Sequence, residues 1–145
     1  MGRLIGIARR EEKRAPMEAL DSADISIDTG VAGDSRGKPG NRQVTLLSAR
    51  DWQAACNELG QQVAWTTRRS NLFIDAMDLP KAAGHIIAIG DVRLKTTVEI
   101  GPCSRMDEQV DGLRNALQPE WRGGVGCQVL EGGRVSIGDT VELIE

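Results

Sequence analysis

The stretch GHIIAIGDVRLKTTVEI, residues 84–100, decides the fold class of this chain. Residues 85–90 and 92–100 are rich in apolar and β-branched side chains and have the length of strands. Gly90-Asp91, which separates them, is a pair typical of a tight hairpin turn. The sequence therefore predicts two antiparallel strands joined at residues 90–91.

Further short strands are predicted on both sides of this hairpin, each bounded by turn residues. They cover residues 3–8, 23–28, 43–47, 63–66, 71–75, 125–130 and 140–144. The glycines and the proline between residues 30 and 41 predict a loop that cannot form a helix. The charged residues 9–14 are predicted to form a solvated loop.

Two helices are predicted, over residues 48–59 and 105–117. Ser48 with Asp51 three residues later approximates a capping box, and Gly60 stands where a C-terminal glycine is expected. The first helix has one apolar face, formed by Trp52, Ala55, Cys56 and Leu59. Pro119 ends the second helix.

The fold class that follows is mostly β with some helix (α+β). We expect a closed or partly closed β-barrel of short strands with two or more helices, and the 17 glycines agree with its many turns. A length of 145 residues predicts a single domain over residues 1–145.

Composition excludes several classes of protein. No apolar run is long enough to cross a bilayer, and the apolar stretch among the first ten residues is too short for a secretory signal, so we expect neither a membrane association nor secretion. Three cysteines at wide spacing do not form a disulfide framework, which favours a cytoplasmic location. A net charge of −3 does not favour nucleic-acid binding.

Charge is nevertheless uneven along the chain. Residues 34–69 contain six cations and three anions, a local net charge of +3. Such a basic zone on an acidic chain could bind a small anion such as a phosphate; the alternative is a set of scattered, solvated charges. The six cations are Arg36, Lys38, Arg42, Arg50, Arg68 and Arg69.

The three cysteines have different surroundings. Cys56 lies on the apolar helix face and Cys127 alternates with valines in a strand, so both are interpreted as small buried hydrophobic residues. Cys103 lies between a predicted strand and a predicted helix, beside Arg105. A helix N-terminus and a cation favour the thiolate, the form that attacks sulfur or ligates a metal. The alternative for Cys103 is a cysteine that merely fits a tight corner.

Other catalytic motifs find no support. His85 is the only histidine, and we interpret it as an outward-facing strand residue rather than a general base. The cysteines and histidine do not have the spacing of a zinc site. Neither glycine-rich nucleotide-binding motif is present.

An ordered set of motifs resembles the MOSC domain family, named for the C-terminal domain of molybdenum cofactor sulfurases. The resemblance runs from about residue 25 onward. It rests on Gly33-Asp34, Asn41-Arg42-Gln43-Val44-Thr45-Leu46, Arg69-Ser70-Asn71-Leu72, Gly84 through Ile89-Gly90-Asp91, Gly101-Pro102-Cys103, Arg122-Gly123-Gly124 and Gly133-x-Val135-x-x-Gly138-Asp139.

The resemblance implies a β-barrel that binds molybdenum cofactor, with Cys103 carrying sulfur as a persulfide. A cysteine desulfurase would then donate the sulfur, and a molybdoenzyme or the cofactor itself would accept it. Pyridoxal phosphate would take part only through that separate desulfurase. The residues expected to bind the cofactor and its phosphate are Arg36, Lys38, Arg42, Arg68, Arg69, Asn71, Arg105 and Arg122.

Two alternatives remain open. The chain could be an oxidoreductase that retains molybdenum cofactor, with Cys103 as the metal ligand, and reduces N-hydroxylated compounds as some members of the family do. It could also be a β-barrel interaction module without chemistry. The family often has a histidine at the position of Arg36, so a role of that histidine cannot be transferred to this chain.

Overall fold

In the computed structural model of this chain, residues 1–12, 15–101 and 105–145 are described, apart from the side chain of Arg105. Within those residues the chain forms eleven strands and three α-helices. The strands are β1 (Gly2–Arg9), β2 (Glu18–Leu20), β3 (Ser22–Ser26), β4 (Gly30–Val31), β5 (Val44–Ser48), β6 (Leu72–Asp75), β7 (Ile86–Ile89), β8 (Val92–Glu99), β9 (Val125–Glu131), β10 (Gly133–Ser136) and β11 (Thr140–Leu143). The helices are α1 (Ala49–Leu59), α2 (Arg105–Gln109) and α3 (Leu113–Leu117).

Seven strands close into a barrel in the order β11-β7-β8-β9-β5-β6-β1, because β1 also pairs with β11. Neighbouring strands are antiparallel except for β5 and β6, which are parallel. Strand β2 extends the sheet beyond β1, and β10, β3 and β4 form a second, smaller sheet. The predicted mostly-β barrel is therefore confirmed.

The barrel interior is filled by buried aliphatic side chains, which supply the main hydrophobic stabilisation of the fold. Outside the barrel, α1 and α3 pack on one wall through a second apolar cluster. No helix among the described residues is both long and apolar enough to cross a membrane. The fully buried interior side chains include Leu4, Leu46, Leu72, Ile74, Ile87, Ile89 and Leu94.

Local signals in the sequence placed the hairpin and the first helix correctly. Ile89 pairs with Val92, so Gly90 and Asp91 form the two-residue turn between β7 and β8. The Ser48 hydroxyl accepts a hydrogen bond from the backbone N–H of Asp51, and Gly60 has the left-handed conformation that ends α1.

Two predicted elements were wrong. Residues 63–66 do not form a strand; Trp65–Thr67 is a 3-10 turn, in which the Trp65 ring is free to stack on Phe73 of β6 at 4.9 Å. The predicted helix 105–117 is divided into α2 and α3, because Gly112 has a φ of 85° and cannot continue a right-handed helix. Strands β2, β4 and β10 were not predicted.

Candidate functional site

A cleft of about 340 Å³ lies where five parts of the chain meet. These parts are the residue after β1, residues 15–17, the loop between β4 and β5, residues 66–69 ahead of β6, and the end of β8 with α2. Its volume is within the range of small-molecule sites. The lining residues are Arg10, Ala15, Pro16, Met17, Arg36, Arg42, Thr66, Thr67, Arg68, Arg69, Ile100, Gly101, Met106, Glu108 and Gln109.

Positive charge dominates the described lining, with five arginines and one carboxylate, Glu108. The barrel brings together four cations of the basic zone that are far apart in sequence, Arg36, Arg42, Arg68 and Arg69. Lys38 is exposed and is not among the described lining residues, and Arg50 lies elsewhere, paired with Asp78. Arginine side chains suit this site because their planar N–H groups match phosphate and carboxylate oxygens.

Gln43 fixes the loop that carries Arg36. Its side-chain amide N–H groups donate to the carbonyls of Ile27 (2.6 Å) and Gly37 (3.0 Å). Its side-chain oxygen accepts from the backbone N–H of Val129 in β9 at 2.9 Å. Because this side chain is buried and fully used, it attaches the glycine-rich loop to the barrel wall.

A buried ion pair stands in the cleft wall. Arg69 donates from Nη2 to Oδ2 of Asp34 at 2.7 Å, and Oδ1 of Asp34 accepts from the backbone N–H of Arg10 at 3.1 Å. The Asp34 side chain is fully buried and that of Arg69 is 10% exposed. The motif Gly33-Asp34 therefore meets the motif that begins at Arg69.

Arg68 is buried and connects the elements around the cleft through the backbone. Its guanidinium donates to the carbonyls of Ile100 (2.6 Å), Gly101 (3.4 Å) and Gly123 (3.0 Å). Its Nη1 also lies 3.6 Å from the sulfur of Met106 in α2. Gly123 permits this arrangement, since a Cβ there would lie 2.4 Å from the Ile100 carbonyl oxygen.

Two predicted cofactor-binding residues make their contacts elsewhere. Asn71 is fully buried; its side-chain oxygen accepts from the backbone N–H of Thr45 at 3.0 Å, and its amide donates to the carbonyl of Ala8 at 3.1 Å. Arg122 forms an ion pair with Glu58 and donates to the carbonyl of Ala116. Neither is among the described lining residues. The side chain of Arg105 lies outside the described part of the chain.

Cys103 also lies outside the described residues, but the described positions on either side of it, Gly101 and Met106, both line the cleft. Cys56 and Cys127 are buried as predicted, and burial raises the pKa of the Cys127 thiol far above its ordinary value. His85 precedes β7, where its Nδ1 is 2.9 Å from the carbonyl oxygen of Glu145.

Sequence reasoning missed Arg10 and the threonines of the 3-10 turn. Arg10 was placed in a solvated loop, but it is only 8% exposed, because its backbone pairs with Asp34 and Ser35 of the opposite loop. Its position two residues after the predicted strand 3–8 was the available signal. Thr66 and Thr67 carried no signal, since Thr66 ends the predicted strand 63–66 and Thr67 belongs to no motif.

The model of the MOSC domain matches residues 28–142. The chain belongs to the MOSC domain family. Members of this family are generally linked to molybdenum cofactor binding or sulfur transfer. The chain has no significant match among curated proteins.

Solved structures share this MOSC fold at low sequence identity. The YUAD protein from Bacillus subtilis superimposes with a TM-score of 0.83 at 18% identity, over 99% of this chain and 96% of its own. YiiM from Geobacillus stearothermophilus gives 0.79 at 13% identity, over 100% and 76% of the two chains. YiiM from Escherichia coli gives 0.72 at 17% identity, over 99% and 70%. These similarities concern the fold.

Proposed function

We propose that this chain is a sulfur-carrying MOSC module in which the Cys103 thiol accepts sulfur beside the arginine-lined cleft. The observation that carries the proposal is that Gly101 and Met106, which flank residues 102–104, both line that cleft. Cys103 is two residues from Gly101 and three residues from Met106 in the sequence. In this proposal, the cations of this cleft favour the thiolate of Cys103.

The other two cysteines are poorly suited to this chemistry. Cys56 and Cys127 are 1% and 0% exposed, and a sulfur donor would have to penetrate the core to reach either thiol. Burial also raises the pKa of the Cys127 thiol, which leaves almost none of the reactive thiolate near neutral pH.

The proposed loading step is an exchange between a thiolate and a persulfide. The Cys103 thiolate attacks the outer sulfur of a donor R–S–SH, the S–S bond of the donor breaks, and R–S⁻ leaves as the new Cys103 persulfide forms. Transfer to an acceptor thiolate follows the same exchange and returns Cys103 as the thiolate. Neither step needs an external oxidant or reductant. A cysteine desulfurase that uses pyridoxal phosphate is the proposed donor.

The described residues of the cleft fit the phosphate-bearing pterin of molybdenum cofactor. Arg36 and Arg42 are exposed in the lining, and the buried Arg69 has unused N–H groups, so these three would hold the phosphate. Cofactor binding stays a prediction for the other residues of the set, which are Lys38, Arg68, Asn71, Arg105 and Arg122.

A second candidate is an oxidoreductase that retains the cofactor, with Cys103 as the metal ligand. The observation that favours it is the size and charge of the cleft, which suit a bound ligand rather than a passing donor. When bound, the cofactor would supply the two-electron chemistry that reduces an N-hydroxylated compound. The chain would contribute the arginines that orient the phosphate and the thiolate that ligates the metal.

Persulfide loading tests the leading proposal. The protein is treated with glutathione persulfide, and mass spectrometry of the intact chain and its peptides locates each added sulfur. We expect loading on Cys103, its loss in Cys103→Ser, and normal loading in the matched control Cys56→Ser. Loading that persists in Cys103→Ser would contradict the proposal.

Metal and pterin analysis separates the second candidate from the first. The protein is purified from a host that makes molybdenum cofactor, and its molybdenum and pterin contents are measured. Near-stoichiometric contents that are lost in Cys103→Ser would favour the oxidoreductase. Persulfide loading without retained metal favours the sulfur carrier.

A further inference from the structure

The Asp34 carboxylate lies behind the cleft wall and contacts two of the arginines that form it. It accepts from the Arg69 guanidinium at 2.7 Å and from the backbone N–H of Arg10 at 3.1 Å. Arg10 and Arg69 line the cleft, whereas Asp34 is not among the described lining residues. Its side chain has no exposed surface.

The loop that carries Asp34 is attached to the end of β1 by two further contacts. The backbone N–H of Ser35 donates to the carbonyl of Arg10 at 2.8 Å, and the Arg9 side chain donates to the carbonyl of Ala32 at 2.6 Å. The position of the carboxylate is thus set by the backbone on both sides of it. A carboxylate held in this way restricts the guanidinium that it binds.

Arg69 has donors left over after this pairing. Its Nε and Nη1 atoms are buried and have no hydrogen-bond partner among the residues that the structure describes. Burial of an N–H donor without an acceptor is unfavourable, so the two Arg69 donors lower the stability of the fold unless an acceptor reaches them. An oxyanion in the cleft would supply the missing acceptors.

We infer that Asp34 is a positioning residue, which holds Arg69 so that its unused N–H groups receive a phosphate-class oxyanion. The inference deepens the proposed function and rests on it, because it concerns the same cleft. Asp34 itself would not touch the ligand. It acts through the direction in which it holds the Arg69 guanidinium.

The electrostatic effect of the Asp34 charge and its positioning of Arg69 lead to opposite predictions for Asp34→Asn. A negative charge 2.7 Å from Arg69 lowers the positive potential of the cleft, so electrostatics alone predicts that its removal strengthens anion binding. Positioning predicts that the same change weakens binding by about tenfold, because a charge-assisted bond that orients Arg69 is lost. The sign of the change therefore distinguishes the two.

Calorimetric titration with inorganic pyrophosphate provides the test. Asp34→Asn removes the charge, and Asp34→Glu keeps the charge but displaces the carboxylate by one methylene. We expect both to weaken pyrophosphate binding, and Asp34→Asn to have about a twofold effect or less when Arg69→Gln is already present. The matched control is Asp24→Asn, which breaks an exposed pair with Arg134 and should leave the affinity unchanged.

The outcomes separate this inference from the proposed function. If the unmodified protein does not bind pyrophosphate, the anion-binding cleft itself is wrong, and this inference with it. If it binds and Asp34→Asn binds equally or more tightly, only the positioning role is overturned. An Asp34→Asn effect that is as large with Arg69→Gln as without it also overturns the role. Loss of the fold in both Asp34 variants overturns it too, because Asp34 would then serve the fold as a whole.

Discussion

Polar groups buried in the barrel and polar groups buried in the cleft wall differ in how completely they are hydrogen-bonded. In the barrel, the side chains of Gln43 and Asn71 use their oxygen and their amide group in hydrogen bonds to loops and strands. In the cleft wall, Arg69 is nearly as buried but keeps two N–H groups without a partner among the described residues. Buried polar groups of the barrel therefore form hydrogen bonds that stabilise the fold, whereas the cleft wall keeps donors that a ligand could use.

The largest effect should come from the barrel interior. Leu46→Ala removes a fully buried side chain from the core and should lower the free energy of unfolding by about 2–5 kcal/mol. Urea denaturation measures the loss. Pyrophosphate affinity, measured where the variant is folded, should be unchanged; a parallel loss of affinity would show that the two regions are coupled.

A smaller effect, on binding rather than on stability, is expected from Arg42→Ala. Arg42 is exposed in the cleft, so its loss should weaken pyrophosphate binding by about 1.5–3 kcal/mol and change stability by no more than about 0.5 kcal/mol. The matched control is Arg50→Ala, which removes a cation of the same sequence zone outside the cleft. Equal effects of the two would show that general charge, not the cleft, binds the anion.

Arg69 is a poorer probe than Arg42, although both belong to the predicted basic zone. Arg69→Ala would leave the fully buried Asp34 carboxylate without its cation, so stability as well as anion binding would be lost. Binding and folding would then change together.

Cys127→Ser tests how strongly the barrel interior depends on apolar side chains, because it replaces one buried sulfur atom by oxygen. The hydroxyl would replace a fully buried thiol among apolar neighbours, and we expect a loss of about 1–3 kcal/mol in unfolding free energy. Persulfide loading at Cys103 should persist in this variant. If the loading disappears while the variant is folded, Cys127 takes part in the chemistry.

The smallest effect should come from salt. Raising potassium chloride from about 0.05 to 0.5 M should weaken pyrophosphate binding by about 1 kcal/mol, since screening acts on the exposed arginines. The free energy of unfolding should change less, because apolar burial dominates the barrel. Binding that does not respond to salt would contradict an electrostatic cleft.

The sequence predicted best where one local signal determines the structure. Gly90-Asp91 placed the β7–β8 turn, and Ser48 with Gly60 placed the ends of α1. It failed at residues 63–66, where a contact between two elements replaces the predicted strand pairing: Trp65 lies in a turn and stacks on Phe73 of β6. Gly112 was a local signal that helix periodicity concealed.

The candidate site was predicted in part for the same reason. Counting charges along the sequence identified Arg36, Arg42, Arg68 and Arg69, because the charge of a residue follows from its type alone. The sequence could not show that the Asn71 side chain is hydrogen-bonded to Thr45 and Ala8, or that Arg122 forms an ion pair with Glu58. Both arrangements depend on long-range contacts. The burial of Arg10 depends in the same way on the loop that holds Asp34.

Closure of the barrel through β1 and β11 has a consequence for synthesis of the chain. Gly2 of β1 pairs with Val141 of β11, so β1 cannot complete its pairing until more than a hundred further residues have been synthesised. At about 5–20 residues per second, a ribosome needs on the order of 10 s to make the intervening chain. During that interval the part of β1 that faces β11 is an open strand edge, available for pairing with other chains. Aggregation during translation should therefore depend on elongation rate, and slow codons before β11 should increase it.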